Sequence, residues 1–216
     1  MPRRKEVPAD PLASSLALID AAHPGPRGAA RRAVLAHALR RFNEQGLEGA
    51  TIEQLRQGSG QSVGAIYHHF GSKEGVVAAL FFVGFEDQSR AIAAALAQAG
   101  PDTQRLLAAL IGAYLGWIET HAELARYVLL AREAVAKGPG AAQLGEALQA
   151  RYQGLDEQLA RAMAGGEIRR IPEDLIPALI LGPAESYCRG WLAGRRELPP
   201  SRVAQELALA AWKSLV

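Results

Sequence analysis

The chain has one cysteine, Cys188, among its 216 residues. A lone thiol excludes an intrachain disulfide and suits a reducing compartment. No uninterrupted apolar run reaches the ~18 residues that a membrane span needs, so no membrane role is expected. The basic opening MPRRK is followed by Asp10, Pro11 and Asp20 rather than by the apolar core of a signal peptide, which leads to the expectation of a cytoplasmic protein. The Walker loop, H-E-x-x-H and the dinucleotide fingerprint are all missing. Adjacent His68 and His69 do not make up for them, because neighbouring residues on a helix point about 100° apart and hold one ion poorly. With no Cys/His cluster at zinc spacing, no catalytic residue, no metal and no cofactor are expected. Strand-like alternation and internal repeats are also lacking, which leaves an all-α architecture.

Apolar residues at 49% are ample for a packed core. The net charge of +2 excludes a general polyanion binder. Through Val77 there are ten basic and seven acidic residues, against fourteen and fifteen beyond it, so the front half carries the positive excess.

The most informative stretch is TIEQLRQGSGQSVGAIYHHFGSK, residues 51–73. Thr51 and Gln54 have the spacing of a capping box, so a helix should open at Ile52 with Leu55 on its apolar side. Gly58 and Gly60 should end it, since glycine takes the left-handed geometry of a sharp reversal without steric cost. Ser62 can cap a second helix, in which Val63, Ile66 and Phe70 form one buried stripe. Its other side carries Gly64, Ala65, Tyr67 and His68, small or hydrogen-bonding residues suited to close approach to a groove. Two short helices across a tight turn are a helix-turn-helix, whose second helix can enter the DNA major groove. A preceding helix is expected over 30–45, with Leu35, Ala38, Leu39 and Phe42 on one face, Arg31, Arg32, Arg40 and Arg41 off it, and Gly46 at its end. Ser72 can cap a following helix from Lys73 through Val76, Val77, Leu80 and Phe81 to about Ala99.

Residues 30–80 resemble the DNA-binding domain of the TetR (tetracycline-repressor) family of bacterial regulators. The resemblance rests on the first helix ending RFNEQG, the Thr-Ile opening of the second, and S-x-G-x-I-Y-H-H-F-x-S-K-E. It implies three segments: an N-terminal extension or arm, 1–29; a helix-turn-helix domain, 30–77; and an all-helical effector-binding and dimerisation domain, 78–216. It further implies double-stranded DNA as a partner, with phosphate contacts at Thr51, Tyr67, His68 and Lys73, Ser62 at the helix start, and Val63, Gly64 and Ala65 facing base edges. Arg56, Gln61 and Val63 depart from the family pattern, which puts a strong phosphate grip at position 63 in doubt. Gly58 costs about 1 kcal/mol of helix stability relative to alanine.

In the extension, Asp10-Pro11 can cap a helix on which Leu12, Leu16 and Ile19 align, before His23-Pro24-Gly25-Pro26 breaks it. One reading is a mobile, partly helical segment. The other is a basic arm of Arg3, Arg4, Lys5 and Arg27 lying along DNA.

Beyond Ala99, helices are expected after Asp102 or Thr103, from a capping box at Thr120 and Glu123, and along the stripe Leu144, Leu148, Tyr152, Leu155, Leu159 and Met163. Two more are expected over 173–193 and 201–215, with Pro177 and Pro183 kinking or delaying the first. In TetR-like proteins the last pair joins its copy as a four-helix bundle, which implies a homodimer through Leu179, Trp191, Leu207, Ala211 and Trp212; alternatively, these side chains complete the monomer core. The resemblance also implies a small-molecule effector, for which Tyr114, Trp117, His121, Tyr127, Tyr152, Tyr187 and Trp191 would suit a mostly apolar pocket, though each alone reads equally as core. The expected function is a homodimeric transcriptional repressor released from a pseudo-palindromic operator by that effector. The competing reading is a ligand-independent DNA-binding or scaffold protein whose C-terminal domain recruits another protein.

Overall fold

The computed structural model describes residues 12–216, so Arg3, Arg4, Lys5 and the Asp10-Pro11 cap lie outside the described residues. The described residues form α-helices and short 3-10 turns, and no strand occurs among them. In chain order the helices are α1 (Ala13–Ala22), α2 (Ala29–Gly49), α3 (Ile52–Ser59), α4 (Val63–Phe70), α5 (Lys73–Ala99) and α6 (Thr103–Thr120). They continue with α7 (Ala122–Lys137), α8 (Ala141–Ala164), α9 (Ile176–Ile180), α10 (Gly182–Leu192) and α11 (Ala204–Leu215). The chain divides into two compact units: residues to Gly84 with His121–Ala131, and Phe85–Thr120 with Arg132–Val216. Helices α5 and α7 therefore contribute residues to both.

The core of the first unit is the apolar face of α2, with Val34, Leu35, Ala38, Leu39 and Phe42 fully buried, closed by Leu55 and Ile66 from the next two helices. Gly46, at φ 74°, breaks α2 where the sequence pattern ends it. Phe42 stacks on Tyr127 of α7 with ring centroids 5.6 Å apart. The Tyr127 hydroxyl donates to the Val77 carbonyl at 2.7 Å, and Asn43 Nδ2 donates to the Glu123 carbonyl at 2.8 Å. Gly84 lets α7 approach α5 closely, because a Cβ there would stand 2.7 Å from Val128 Cγ2. The opening of α7 is thus part of the headpiece.

Helix α1 docks on this unit. Ile19 and Ser15 are fully buried, and Ser15 Oγ accepts from the Leu124 amide at 3.3 Å. Arg32 then holds the break that follows. It donates to the His23 carbonyl at 2.6 Å and the Gly25 carbonyl at 2.8 Å, and pairs with Asp20 at 3.3 Å.

In the second unit, α6 supplies the buried face Leu107, Leu110, Ile111, Leu115 and Ile118. Asp102 caps it, its Oδ1 accepting from the Arg105 amide at 2.7 Å. Thr120 is the last residue of α6, its hydroxyl donating back to the Gly116 carbonyl at 2.9 Å. Helix α7 opens at Ala122, two residues after Thr120. The helix expected over 173–193 is split into a 3-10 turn, α9 and α10. Each prolyl ring, Pro177 and Pro183, occupies a first-turn position, where its missing N–H costs nothing. The last helix likewise starts three residues late, after a 3-10 turn over Pro200–Val203.

Candidate nucleic-acid interface

Local chemistry builds the α3–α4 turn as the sequence reads. Thr51 Oγ1 accepts from the Gln54 amide at 3.3 Å while Gln54 Oε1 accepts from the Thr51 amide at 2.9 Å. Gly60, at φ 69°, takes the left-handed cap, where a side chain would be strained. Ser62 Oγ then accepts from the Ala65 amide at 3.1 Å and starts α4. Gly58 does not end α3; it lies inside the helix, and a Cβ there would collide with the His37 ring of α2. Its lost helix propensity is the cost of packing α2 close to α3.

Helix α4 has a narrower buried face than its stripe implies. Ile66 is fully buried and Phe70 half-buried, but Val63 is 38% exposed. Position 63 sits in the first turn, beyond the neighbouring helices' reach. Gly64, Tyr67 and His68 are also exposed, Tyr67 to 50%, and Ala65 is half-buried. Thr51 and Ser62 are exposed with their oxygens engaged as caps. Lys73 is half-buried, and its Nζ donates to the Leu47 carbonyl at 3.1 Å. An ammonium has three donors, so this bond pins the side chain and leaves two for another acceptor.

The aromatic set expected around an effector is divided between the units. His121 and Tyr127 belong to the first. Tyr127, stacked on Phe42 and bonded to Val77, is a headpiece core residue rather than part of a pocket in the second unit, and burial drives its phenol well above the ordinary range. The other five lie in the second unit. Trp117 is buried and donates its indole N–H to Asp87 Oδ2 at 2.9 Å. Tyr187 donates to the Leu198 carbonyl at 2.9 Å, and Trp191 is half-buried.

Tyr114 differs from these. Only 4% exposed, its hydroxyl has no hydrogen-bond partner. Burial, then the nearby Glu185, Cys188 and Tyr152, push its phenol far up, with Arg132 pulling the other way. Half-buried Tyr152 flanks it, and Cys188, fully buried on α10, is itself pushed up to about 12 by burial and Glu185. Between α8 and α5 stands Arg151, whose Nε donates to Ser89 Oγ at 2.7 Å. Its Nη1 donates to Gln88 Oε1 at 3.1 Å and its Nη2 to the Phe85 carbonyl at 2.6 Å. The guanidinium also covers the Phe85 ring, 3.6 Å from its centroid. Arg151 falls between Leu148 and Leu155 on the apolar stripe of α8, a local signal in the sequence that its charge has a buried partner.

Of the residues expected at a two-fold interface, Leu179, Trp191, Leu207 and Trp212 are half-buried in the single chain. Ala211, at 1% exposure, is covered by the chain's own packing and so has little surface left to give a partner.

Residues 34–80 match the family model of bacterial regulatory proteins, tetR family. The HTH-type transcriptional repressor AcnR of Corynebacterium glutamicum is 50% identical over 50 residues, 23% of this chain and 27% of that protein. The HTH-type transcriptional repressor Rv1474c of Mycobacterium tuberculosis is 38% identical over 99 residues, 45% of this chain and 50% of that one. The chain thus spans between about a quarter and a half of the length of these curated relatives. A crystal structure of a TetR family transcription regulator from Marinobacter aquaeolei VT8 superposes with a TM-score of 0.72 at 17% identity, covering 87% of this chain and 95% of that one, which shows a shared fold. Residues 34–80 thus form a helix-turn-helix headpiece that matches the tetR family of bacterial regulatory proteins, and the chain shares the fold of a solved TetR family regulator.

Proposed function

We propose that this chain is a cytoplasmic, homodimeric transcriptional repressor that holds a pseudo-palindromic DNA site through α4 and lets go when a small molecule binds in its second unit. The observation that carries the reading is the capped α3–Gly60–α4 turn with Val63, Gly64, Tyr67 and His68 exposed along one side of α4. Val63, Gly64 and Ala65 face base edges; Thr51, Ser62, Tyr67, His68 and Lys73 meet phosphates. Similarity to two transcriptional repressors, AcnR and Rv1474c, supports the repressor assignment. Sequencing of the fragments that the purified protein retains from sheared genomic DNA tests it. A recurring inverted repeat is expected; retention without any enriched sequence would overturn the operator reading.

The dimer rests on α9–α11 and the 3-10 turn before them, where Leu175 at 42% and Leu209 at 39% stand exposed and Leu179, Leu207 and Trp212 are half-buried. An apolar surface of this kind invites its own copy across a two-fold axis, which would present two α4 helices to one site. Trp212→Asp would place a carboxylate in that interface without compensation, and the variant should sediment as a monomer. A folded, intact dimer would move the interface elsewhere.

The effector seat lies around Tyr114, Tyr152 and Arg151, the polar groups set into the second unit's core. Helices α5 and α7 carry its occupancy to the headpiece, since each has residues in both units and they are tied by Tyr127 and Val77 within the first. An effector favouring the released state by about 2.7 kcal/mol lowers DNA affinity roughly a hundredfold, and DNA must weaken effector binding by the same factor.

A further inference from the structure

We infer that the N-terminal extension adds a DNA-backbone site to the helix-turn-helix, a basic groove in which Arg27 and Arg31 grip a phosphate beside His68 and His69. The inference rests on the DNA-binding reading and extends its footprint to a segment that precedes the family-matched residues 34–80.

The groove has a volume of about 470 Å³ and is lined by His23, Arg27, Arg31, His68 and His69, with small residues between them and no carboxylate among the described residues. Arg27 and Arg31 are both exposed, and neither forms a hydrogen bond or ion pair with another described residue. Asp20 pairs with Arg32. Two unpaired guanidiniums at one groove leave a concentrated positive field, and their planar forks match phosphate oxygens. His23 does not add to that charge at neutral pH, because burial first, then Arg31 and Arg32, depress its imidazole.

The groove is built rather than incidental. Arg27 sits in the 3-10 turn Pro26–Gly28, which follows Gly25 at φ 73°. Arg32 fixes that turn by binding the His23 and Gly25 carbonyls, and buried Ile19 anchors the helix before it. Gly28 allows the return, since a Cβ there would collide with the His23 carbonyl. A preorganised turn loses little entropy when an anion arrives. The opposite wall is the last turn of α4, so an anion in the groove lies alongside the helix whose exposed side carries Tyr67 and His68. That continuity favours a phosphate of the bound duplex over a free anion.

Fluorescence anisotropy with a labelled duplex, titrated at several salt concentrations, compares wild type with R27Q/R31Q. R105Q/R202Q, which removes the same charge from the second unit, is the control. Each phosphate contact contributes about 0.9 to the log–log salt slope. The groove variant should lose up to about 1.8 from that slope, weaken binding to all sequences alike, and keep its melting temperature; the control should keep the wild-type slope. Equal slopes in wild type and R27Q/R31Q would overturn the inference while leaving the helix-turn-helix reading intact. Failure of wild type to bind any duplex at low salt would overturn both. Thermal stabilisation of wild type by inorganic phosphate, lost in R27Q/R31Q with the DNA slope unchanged, would replace the DNA site with a free-anion site.

Discussion

Arg151 in the second unit donates to three partners and covers a ring, whereas Arg27 and Arg31 in the first donate to none among the described residues. The two settings use one side chain in opposite ways. Burial depresses the pKa of Arg151, and its bonds to Ser89, Gln88 and Phe85 offset the desolvation and fix α8 against α5. The exposed pair stays hydrated and gains its energy only when a phosphate releases counterions. The same side chain can thus stabilise one unit and stay open to an anion in the other. The comparison also separates the two units energetically, so substitutions in each should have distinguishable local effects.

The largest effect should come from Tyr127→Ala. It removes a fully buried aromatic, its stack on Phe42 and its bond to Val77, a loss of about 3–5 kcal/mol by comparison with other large-to-Ala core changes. Hydrogen exchange should accelerate in α2–α4 first. Faster exchange confined to α8–α11 would mean that Tyr127 serves the second unit after all.

Arg151→Ala tests the other half of the comparison. Gln88 Oε1 would lose its donor, at about 1–3 kcal/mol for a buried group left without a partner, while the Ser89 hydroxyl still donates to the Phe85 carbonyl at 2.7 Å. Denaturant melts should show the loss, with exchange rising in α5 and α8 of the second unit. Arg151→Lys should recover only part of it, because an ammonium cannot cover the Phe85 ring and reach all three acceptors in one plane. Full recovery would reduce the site to a charge.

These two residues also mark where the sequence is legible. The α3–α4 turn can be read because its causes are local: Thr51 with Gln54, Gly60, and Ser62 with Ala65 all act within four residues. Tyr127 cannot be placed that way. Its partners Phe42 and Val77 are distant in sequence, so an aromatic on a C-terminal helix reads as a pocket candidate until the fold puts it in the headpiece. The docking of α1 is equally non-local, since Ser15 meets the amide of Leu124. Arg151 was accessible in principle, because a charge on an apolar stripe is a local anomaly. The helix expected over 173–193 is divided because Pro177 and Pro183 each sit in the first turn of a new helix, delaying the start rather than bending one long helix.

Gly58→Ala gives a prediction in which only the sign matters. Helix propensity alone favours alanine by about 1 kcal/mol. The Cβ would instead strike the His37 ring, and overpacking of this kind costs about 1–3 kcal/mol. A lower melting temperature is therefore expected, and recovery in the double variant Gly58→Ala/His37→Ala would assign the cost to that contact. A stabilised single variant would show that α2 and α3 can separate without penalty.

The smallest effect is a pH dependence that differs between the units. His23 lies below the ordinary imidazole range through burial, then Arg31 and Arg32. His37 does so through burial, then Arg41 and Arg40, with Glu44 and the Gln54 backbone opposing. A group depressed on folding binds fewer protons folded than unfolded. Its contribution is full above the unfolded value of 6.5 and is lost as the pH falls below that value and through the lower folded one. The first unit should therefore soften as the solution is taken from about pH 7.5 to 5.5, a window set by the histidine range. Asp156 in the second unit has the opposite sign, raised by burial and then by Glu173 above 3.8, so its contribution grows only on further acidification. Residue-resolved exchange at pH 7.5 and 5.5, corrected for the intrinsic rate, should show protection falling in α2 and α3 while α8 changes little. His23→Gln should flatten the change in part, since the glutamine has no proton to gain. Uniform loss across both units would mean that they do not open separately, and increased protection in α2 on acidification would contradict the assigned signs.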